Sequence, residues 1–260
     1  GYSVWGGEPL LREDLHEILA FAKKMGLVNM LVTNGSLLKE RYKEILPYTD
    51  FLTVSIDSND DLHDKMRGMK GIRERAIEGI KLCKEKRKET KIIINTVINR
   101  LNYRKIGELM ELSHELDVIH AFEPIDTTED HFKVSDTFMP TQNQLKEAFS
   151  KIIELKKKGY KVENSFGYLK NFSYEKKYRC HFPKILIVVD AHGNTFSCVD
   201  NGWGNVKDRR LKDIFVDNDF KAFCKRVEKC NKCNVSCVIE SSFTYSLNPL
   251  FLLKTIKKLV

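Results

Sequence analysis

The chain has 260 residues, 42% of them hydrophobic and 31% charged, with a formal net charge of +8. That is enough to bury one large core plus a small module, in the proportions of an ordinary globular protein. There is no internal repeat and no low-complexity tract; no run of 18 apolar residues offers a membrane-spanning helix, no secretory leader is visible, and a cytoplasmic location is expected.

The excess of positive charge gathers in helical stretches such as Lys81 to Lys91 and Lys156 to Lys161. Such runs read as a solvated basic face, or as an attraction to an anionic partner: an acidic peptide, a nucleic acid or a lipid head group. No aromatic-interleaved basic motif is present, so nucleic acid is not an expected partner.

Taken in order, the first two-thirds alternates strands and helices. Tyr2 to Trp5 reads as the end of a strand, and Leu11, Leu15, Ile18, Leu19 and Ala22 recur at helical spacing until Gly26. Val28 to Thr33 reads as the next strand, Leu37 to Leu46 as a helix stopped by Pro47, and Phe51 to Ile56 as a strand. A polar loop leads to a helix with Ile72, Ala76, Ile77, Ile80 and Cys83 on its inner face. Lys91 to Ile98 is β-branched and reads as a buried strand; Ile106, Leu109, Met110 and Leu116 line a helix; Val118 to Phe122 is the last strand of the series. Pro140 and Thr141 open a helix that closes near Gly159. Five strands alternating with helices predict right-handed βαβ units and a parallel sheet. The series ends near residue 160, short of the roughly 250 residues of a closed eight-stranded barrel, so an open partial barrel is expected. A doubly wound dinucleotide fold is disfavoured because no Gly-x-Gly-x-x-Gly follows a strand.

After residue 170 the texture changes. Ile185 to Asp190 and Thr195 to Val199 flank Ala191-His192-Gly193-Asn194 as a hairpin, and Leu211 to Glu228 reads as one helix. Six of the seven cysteines fall between Cys180 and Cys237. Such clustering means disulfides, zinc or iron–sulfur, with disulfides least expected beside a cytosolic-looking α/β body. The last residues, Pro249 to Val260, form a basic amphipathic pattern that suits a helix packed on its own domain, or docking on a membrane surface.

The predicted strand ends carry the chemistry. Trp5-Gly6-Gly7-Glu8-Pro9 puts two glycines and a carboxylate where parallel α/β folds keep their sites. Thr33-Asn34-Gly35, Ser55-Ile56-Asp57 and Arg67-Gly68 follow successive units. In this order, over about residues 1 to 125, the set resembles the core of the radical S-adenosylmethionine (radical SAM) superfamily. The resemblance implies an α/β fold: a partial (β/α)6 barrel lacking its first βα unit. It implies that Gly6, Gly7, Glu8 and Pro9 meet the methionyl amine of SAM, and that Ser55 and Arg67 hold its carboxylate. Thr33 and Asn34 face the same mouth. Asp57 is a candidate for the ribose hydroxyls, Asn95 for ribose or substrate, and Glu123 for adenine or substrate.

The family's Cys-x-x-x-Cys-x-x-Cys loop, which holds the SAM-binding [4Fe-4S] cluster, is not in these residues, and Cys230, Cys233 and Cys237 have the gaps in the reverse order. With a first residue that is glycine and a start inside a strand, the chain is read as an N-terminally truncated form of a parent that carries the loop, itself without catalytic activity. The C-terminal cysteines resemble the SPASM or shorter twitch extension of radical SAM enzymes. That likeness implies one auxiliary [4Fe-4S] cluster on Cys180, Cys198, Cys230 and Cys233, with Cys237 as a possible substitute; zinc is the alternative occupant. Cys83 and Cys224 are expected to be buried thiols without a ligand role. The domain boundaries expected are 1–170 for the barrel, 171–240 for the cluster module and 241–260 for the tail. The implied reaction is hydrogen abstraction from a small molecule, peptide or lipid by a SAM-derived radical, fed by a reducing electron donor; the alternatives are a non-catalytic SAM- or peptide-binding relative and a zinc-stabilised binding protein.

Overall fold

The structure, a computed structural model, describes residues 1–125, 136–173, 178–197, 202–230 and 233–247. Two compact units emerge: the first comprises Gly1–Glu123 and Pro140–Asn164, the second Pro124–Met139 and Ser165–Val260. No helix among the described residues is long and apolar enough to cross a membrane.

The first unit is built on β1 (Tyr2–Val4), α1 (Leu15–Lys24), β2 (Asn29–Thr33), α2 (Leu38–Ile45), β3 (Phe51–Ser55), α3 (Leu62–Arg67), α4 (Ile72–Lys86), β4 (Lys91–Ile98), α5 (Ile106–Glu115), β5 (Ile119–Pro124) and α6 (Gln142–Lys157). The strands form one open sheet in the order β1-β2-β3-β4-β5, and the first four pair in parallel. Consecutive neighbours linked by helices are what the βαβ rule demands. Leu31, Leu52, Val54, Ile92 and Ile94 from the strands pack against Leu15, Leu19, Leu38, Ile45, Ala76, Ile80 and Leu109 from the helices in one core. Gly35, at φ +79°, has no room for a side chain: a Cβ there would meet Ala76 Cβ at 2.7 Å and Val54 Cγ1 at 3.0 Å.

The N-terminal ends of the strands are stitched by polar groups. The buried Asn29 amide donates to Leu19 O and Tyr48 O, both at 2.8 Å, while its backbone N–H donates to Asp50 Oδ2, which Lys23 also holds. The sheet continues past the fifth strand. His120 N donates to Lys161 O and Glu163 N to His120 O, a single parallel bridge to Val162. Two bonds leave no periodic pattern, so the sequence reading stopped at the strand before.

Two buried histidines make the first unit sensitive to acid. His63 sits at zero exposure with Nδ1 accepting from Asp57 N, and burial pushes its pKa down. His120 stacks on Phe122 (centroids 4.1 Å, planes 2° apart), and burial pushes it down to about 3. In the unfolded chain both titrate near 6.5. As pH falls below about 6.5 the unfolded chain takes up the protons first, so stability is full above that value and declines toward pH 3. Each histidine contributes a slope of up to about 1.4 kcal/mol per pH unit. Chemical unfolding monitored from pH 7 to 4 should show this fall, and His120→Gln should flatten it.

The second unit contains α7 (Phe166–Ser173), β6 (Val188–Val189), β7 (Asn194–Phe196), β8 (Gly202–Asn205), α8 (Leu211–Val216), α9 (Asn218–Val227) and α10 (Ser236–Leu247). The three strands form an antiparallel sheet in sequence order. The expected hairpin is there in shorter form: Asp190 Oδ1 accepts from His192 N and Asn194 N and closes the turn. The helix expected over 211–228 is two helices. Asp217 stays extended (φ −63°, ψ 138°) and its carboxylate accepts from Asp219 N and Phe220 N, which caps the second helix and ends the first. Ile214, Phe220 and Cys224 form a small core with Trp203 and Ile187. The residues 249–260 read as an amphipathic tail lie outside the described residues.

Candidate functional site: a cradle at the strand ends and a cysteine set

The C-terminal ends of the five strands bring the expected residues to one edge of the sheet. Gly6 and Gly7, just past β1, adopt φ +97° and +54°, a region that favours glycine. A Cβ on either would meet nothing within 4 Å, so the space over their amides and carbonyls is open. Glu8 turns toward β2 rather than into that space. Its Oε1 accepts from Thr33 Oγ1 (2.7 Å) and Leu10 N (3.0 Å), and its Oε2 accepts from Asn34 N (2.7 Å). Thr33 Oγ1 accepts in turn from Gly35 N. Glu8 thus locks the first two strand ends together. The groups left to meet a cationic amine are the backbone carbonyls beside it and the remaining lone pair of Oε2.

The next two strand ends are tied through Asp57. Arg67, the last residue of α3, grips Asp57 Oδ2 with Nε and Nη2, both at 2.7 Å. Oδ1 accepts from Val97 N on β4 at 3.0 Å, and the backbone N–H of Asp57 donates to His63 Nδ1. Asn102 Nδ2 holds the carbonyl of Asp57. The carboxylate is therefore an internal anchor, and both of its oxygens are engaged. Arg67 keeps three N–H groups with no bond among the described residues, and the Ser55 hydroxyl likewise makes none. Ser55 lies opposite Asn95 in the sheet register, and Asn95 Nδ2 donates to Glu123 Oε1 at 2.9 Å. Residues from all five strand ends are thereby joined in pairs along one edge. His63 and Asn102 were not anticipated, although His63 and Arg67 stand four apart, the spacing that shares one helix face.

In the second unit, burial first, then the neighbouring thiols of Cys233, Cys180 and Cys230, push the Tyr178 phenol up. Tyr178 stands two residues before Cys180 and donates to the Cys233 carbonyl at 3.2 Å, so one buried side chain reaches both cysteine-bearing segments. Cys180 is buried and Cys230 and Cys233 half-buried, while Cys237 is exposed on α10 and Cys198 lies outside the described residues. Among the described residues no three His, Cys, Asp or Glu side chains stand close enough to hold one metal ion. A tetrahedral zinc ion with bonds of about 2.3 Å would need sulfurs about 3.8 Å apart. A four-iron cube, bound at four different irons, accepts wider spacing. The all-sulfur donor set fits an iron–sulfur group on chemistry. Cys83 and Cys224 are buried in apolar clusters, and burial pushes both thiols up, Cys83 to about 12.

The fold and the strand-end cradle define a partial-barrel α/β domain built to present backbone and polar groups along one edge. Residues 2–113 match the radical SAM superfamily. Residues 128–253 match a domain of unknown function (DUF3463). Among curated relatives, an AdoMet-dependent heme synthase of Methanosarcina barkeri is 38% identical over 122 residues, 45% of this chain and 34% of that protein. A probable GTP 3',8-cyclase of Saccharolobus islandicus is 37% identical over 123 residues, 45% of this chain and 39% of that one. The chain thus spans little more than a third of these relatives. Among solved structures, Streptococcus suis SuiB bound to precursor peptide SuiA aligns over 91% of this chain and 59% of its own, with TM-score 0.68 and 17% identity. The anSMEcpe structure with bound AdoMet aligns over 91% and 72%, with TM-score 0.66 and 20% identity. At these identities the likeness is one of fold.

Proposed function

We propose that the chain is the SAM-binding and substrate-binding part of a radical SAM enzyme that acts on an anionic substrate, an acidic peptide first, and that its second unit carries one auxiliary [4Fe-4S] cluster of the SPASM or twitch kind. The observation that carries the reading is the line of pairs along the strand ends: Glu8 with Thr33 and Asn34, Arg67 with Asp57, and Asn95 with Glu123. When bound to a reduced [4Fe-4S] cluster, SAM supplies a 5′-deoxyadenosyl radical that takes a hydrogen atom from substrate.

This chain's residues orient and shield. The carbonyls at Gly6 and Gly7 accept from the methionyl amine. Arg67, held rigid by Asp57, offers its remaining N–H groups to the methionyl carboxylate, and Ser55 adds a hydroxyl. Asp57 acts through Arg67 rather than on the ribose. Asn95 and Glu123 stand ready for ribose, adenine or substrate. Cys180, Cys198, Cys230 and Cys233 would hold the auxiliary cluster, with Cys237 able to stand in for Cys230 or Cys233. The net charge of +8 supports an anionic substrate. The heme synthase and cyclase each match 45% of this chain, and residues 2–113 match the radical SAM superfamily, which argues that the N-terminal part serves the SAM step and the rest selects the substrate. SuiB, bound to a precursor peptide in its structure, aligns across both parts and makes a peptide the first candidate.

The test is anaerobic reconstitution of the full-length parent, with iron counted and 5′-deoxyadenosine measured by mass. Release of 5′-deoxyadenosine that needs dithionite and SAM is the expected result. A colourless protein that holds zinc and releases none would overturn the proposal in favour of a zinc-stabilised binding protein.

A further inference from the structure

Two buried tyrosine hydroxyls reach consecutive carbonyls in the loop that carries the Cys230-x-x-Cys233 pair. Tyr168, on α7 and fully buried, donates to Asn234 O at 3.2 Å. Tyr178, 8% exposed, donates to Cys233 O at 3.2 Å. Tyr178 also precedes Cys180 by two residues, so a single side chain bridges a segment bearing one thiol and a loop bearing two, 55 positions away. Both rings are fixed from other sides. Tyr168 packs edge-on to Phe172 (5.1 Å), and Tyr178 packs edge-on to Phe243 on α10 (6.4 Å). The chain holds the same loop further by Cys230 N donating to Val227 O at 2.8 Å.

We infer that Tyr168 and Tyr178 are positioning residues that clamp the 233–234 backbone, so that the loop bearing Cys230 and Cys233 is held beside the segment bearing Cys180 before any metal arrives. The inference rests on the auxiliary-cluster reading above. A buried hydroxyl on a main-chain carbonyl is a directional restraint that apolar packing alone does not give. Pre-setting a ligand loop lowers the ordering cost of binding and slows ligand loss. Neither tyrosine offers a thiol or imidazole, so ligand-spacing rules pass over both.

The test uses the full chain, reconstituted anaerobically with iron and sulfide alone. Tyr178→Phe and Tyr168→Phe delete one hydroxyl each and keep the ring. Tyr245→Phe, on α10, is the control, because Tyr245 packs on His181 and its hydroxyl makes no bond among the described residues. Iron per chain, visible absorption and the rate of iron loss to a chelator are read, with circular dichroism as the check on folding. The expected result is cluster loss roughly three- to tenfold faster in Tyr178→Phe, the range one hydrogen bond commands. A smaller increase is expected in Tyr168→Phe, and none in Tyr245→Phe. Loss at the wild-type rate in folded Tyr178→Phe overturns the inference, as does an equal increase in Tyr245→Phe, which would mean general loosening. If Tyr178→Phe does not fold, Tyr168→Phe decides alone by the same criterion. A wild-type chain that takes up no iron–sulfur cluster fails the auxiliary-cluster reading instead, and is told apart because the defect then precedes any substitution.

Discussion

Glu8→Gln is expected to lower the unfolding midpoint of the first unit by roughly 5–10 °C, from a loss of about 2–3 kcal/mol at 2–4 °C per kcal/mol. The substitution keeps the shape of the side chain. One oxygen still serves Thr33 Oγ1 and Leu10 N, but an amide NH₂ then faces the backbone N–H of Asn34, or the amide turns and loses the other two. Two donors pointed at one another leave a part-buried N–H without an acceptor. SAM affinity of the reconstituted parent should fall at least tenfold, since Gly6 and Gly7 lose the restraint that fixes their carbonyls. Differential scanning fluorimetry of the chain and equilibrium dialysis of the parent measure the two effects separately. An unchanged midpoint would mean that Glu8 is a ligand group and not a latch.

Arg67→Ala is expected to be the most damaging single change at the cradle. The Asp57 side chain is only 7% exposed and Arg67 29%. Removing one partner of a buried pair strands the other charge, at a cost of about 3–5 kcal/mol. The lower end is expected here because water can reach from the arginine side, and because Val97 N still serves Oδ1. Arg67→Lys keeps the charge but cannot present a two-pronged fork. It should recover most of the stability, while SAM binding stays about tenfold weaker, a difference of about 1.4 kcal/mol. Urea titration followed by circular dichroism, beside SAM dialysis of the parent, distinguishes the two roles. Equal recovery of both by lysine would show that Arg67 serves only Asp57.

The alternation of strands and helices in the first unit was legible because the inner strands are short apolar runs and each helix is buried on one face. Leu31, Leu52 and Ile94 therefore sit in runs, while Leu15, Leu19 and Ala22 recur at 3 and 4. The residues of the cradle were legible as types at strand ends, but their partners were not. Asp57 turns to Arg67 and Val97, and Glu8 to Thr33 and Asn34, because polar groups near a buried edge must satisfy one another's hydrogen bonds. Short elements escaped the pattern: α3 has six residues and β6 two, too few for a period. The break at Asp217 left a sign in the sequence, an Asp-Asn-Asp cap, that helical periodicity on both sides obscured. Tyr168 and Tyr178 left no sign of their role in the sequence, because the hydroxyl's target is a carbonyl, and every residue has one.

The polar plug of Asn29, Asp50 and Lys23 has a consequence for folding fidelity. A one-residue slip of β2 would turn its side chains to the opposite faces of the sheet. It would also carry the Asn29 amide away from the Leu19 and Tyr48 carbonyls and leave buried donors stranded. Misregister is thus penalised at the pole remote from the ligand.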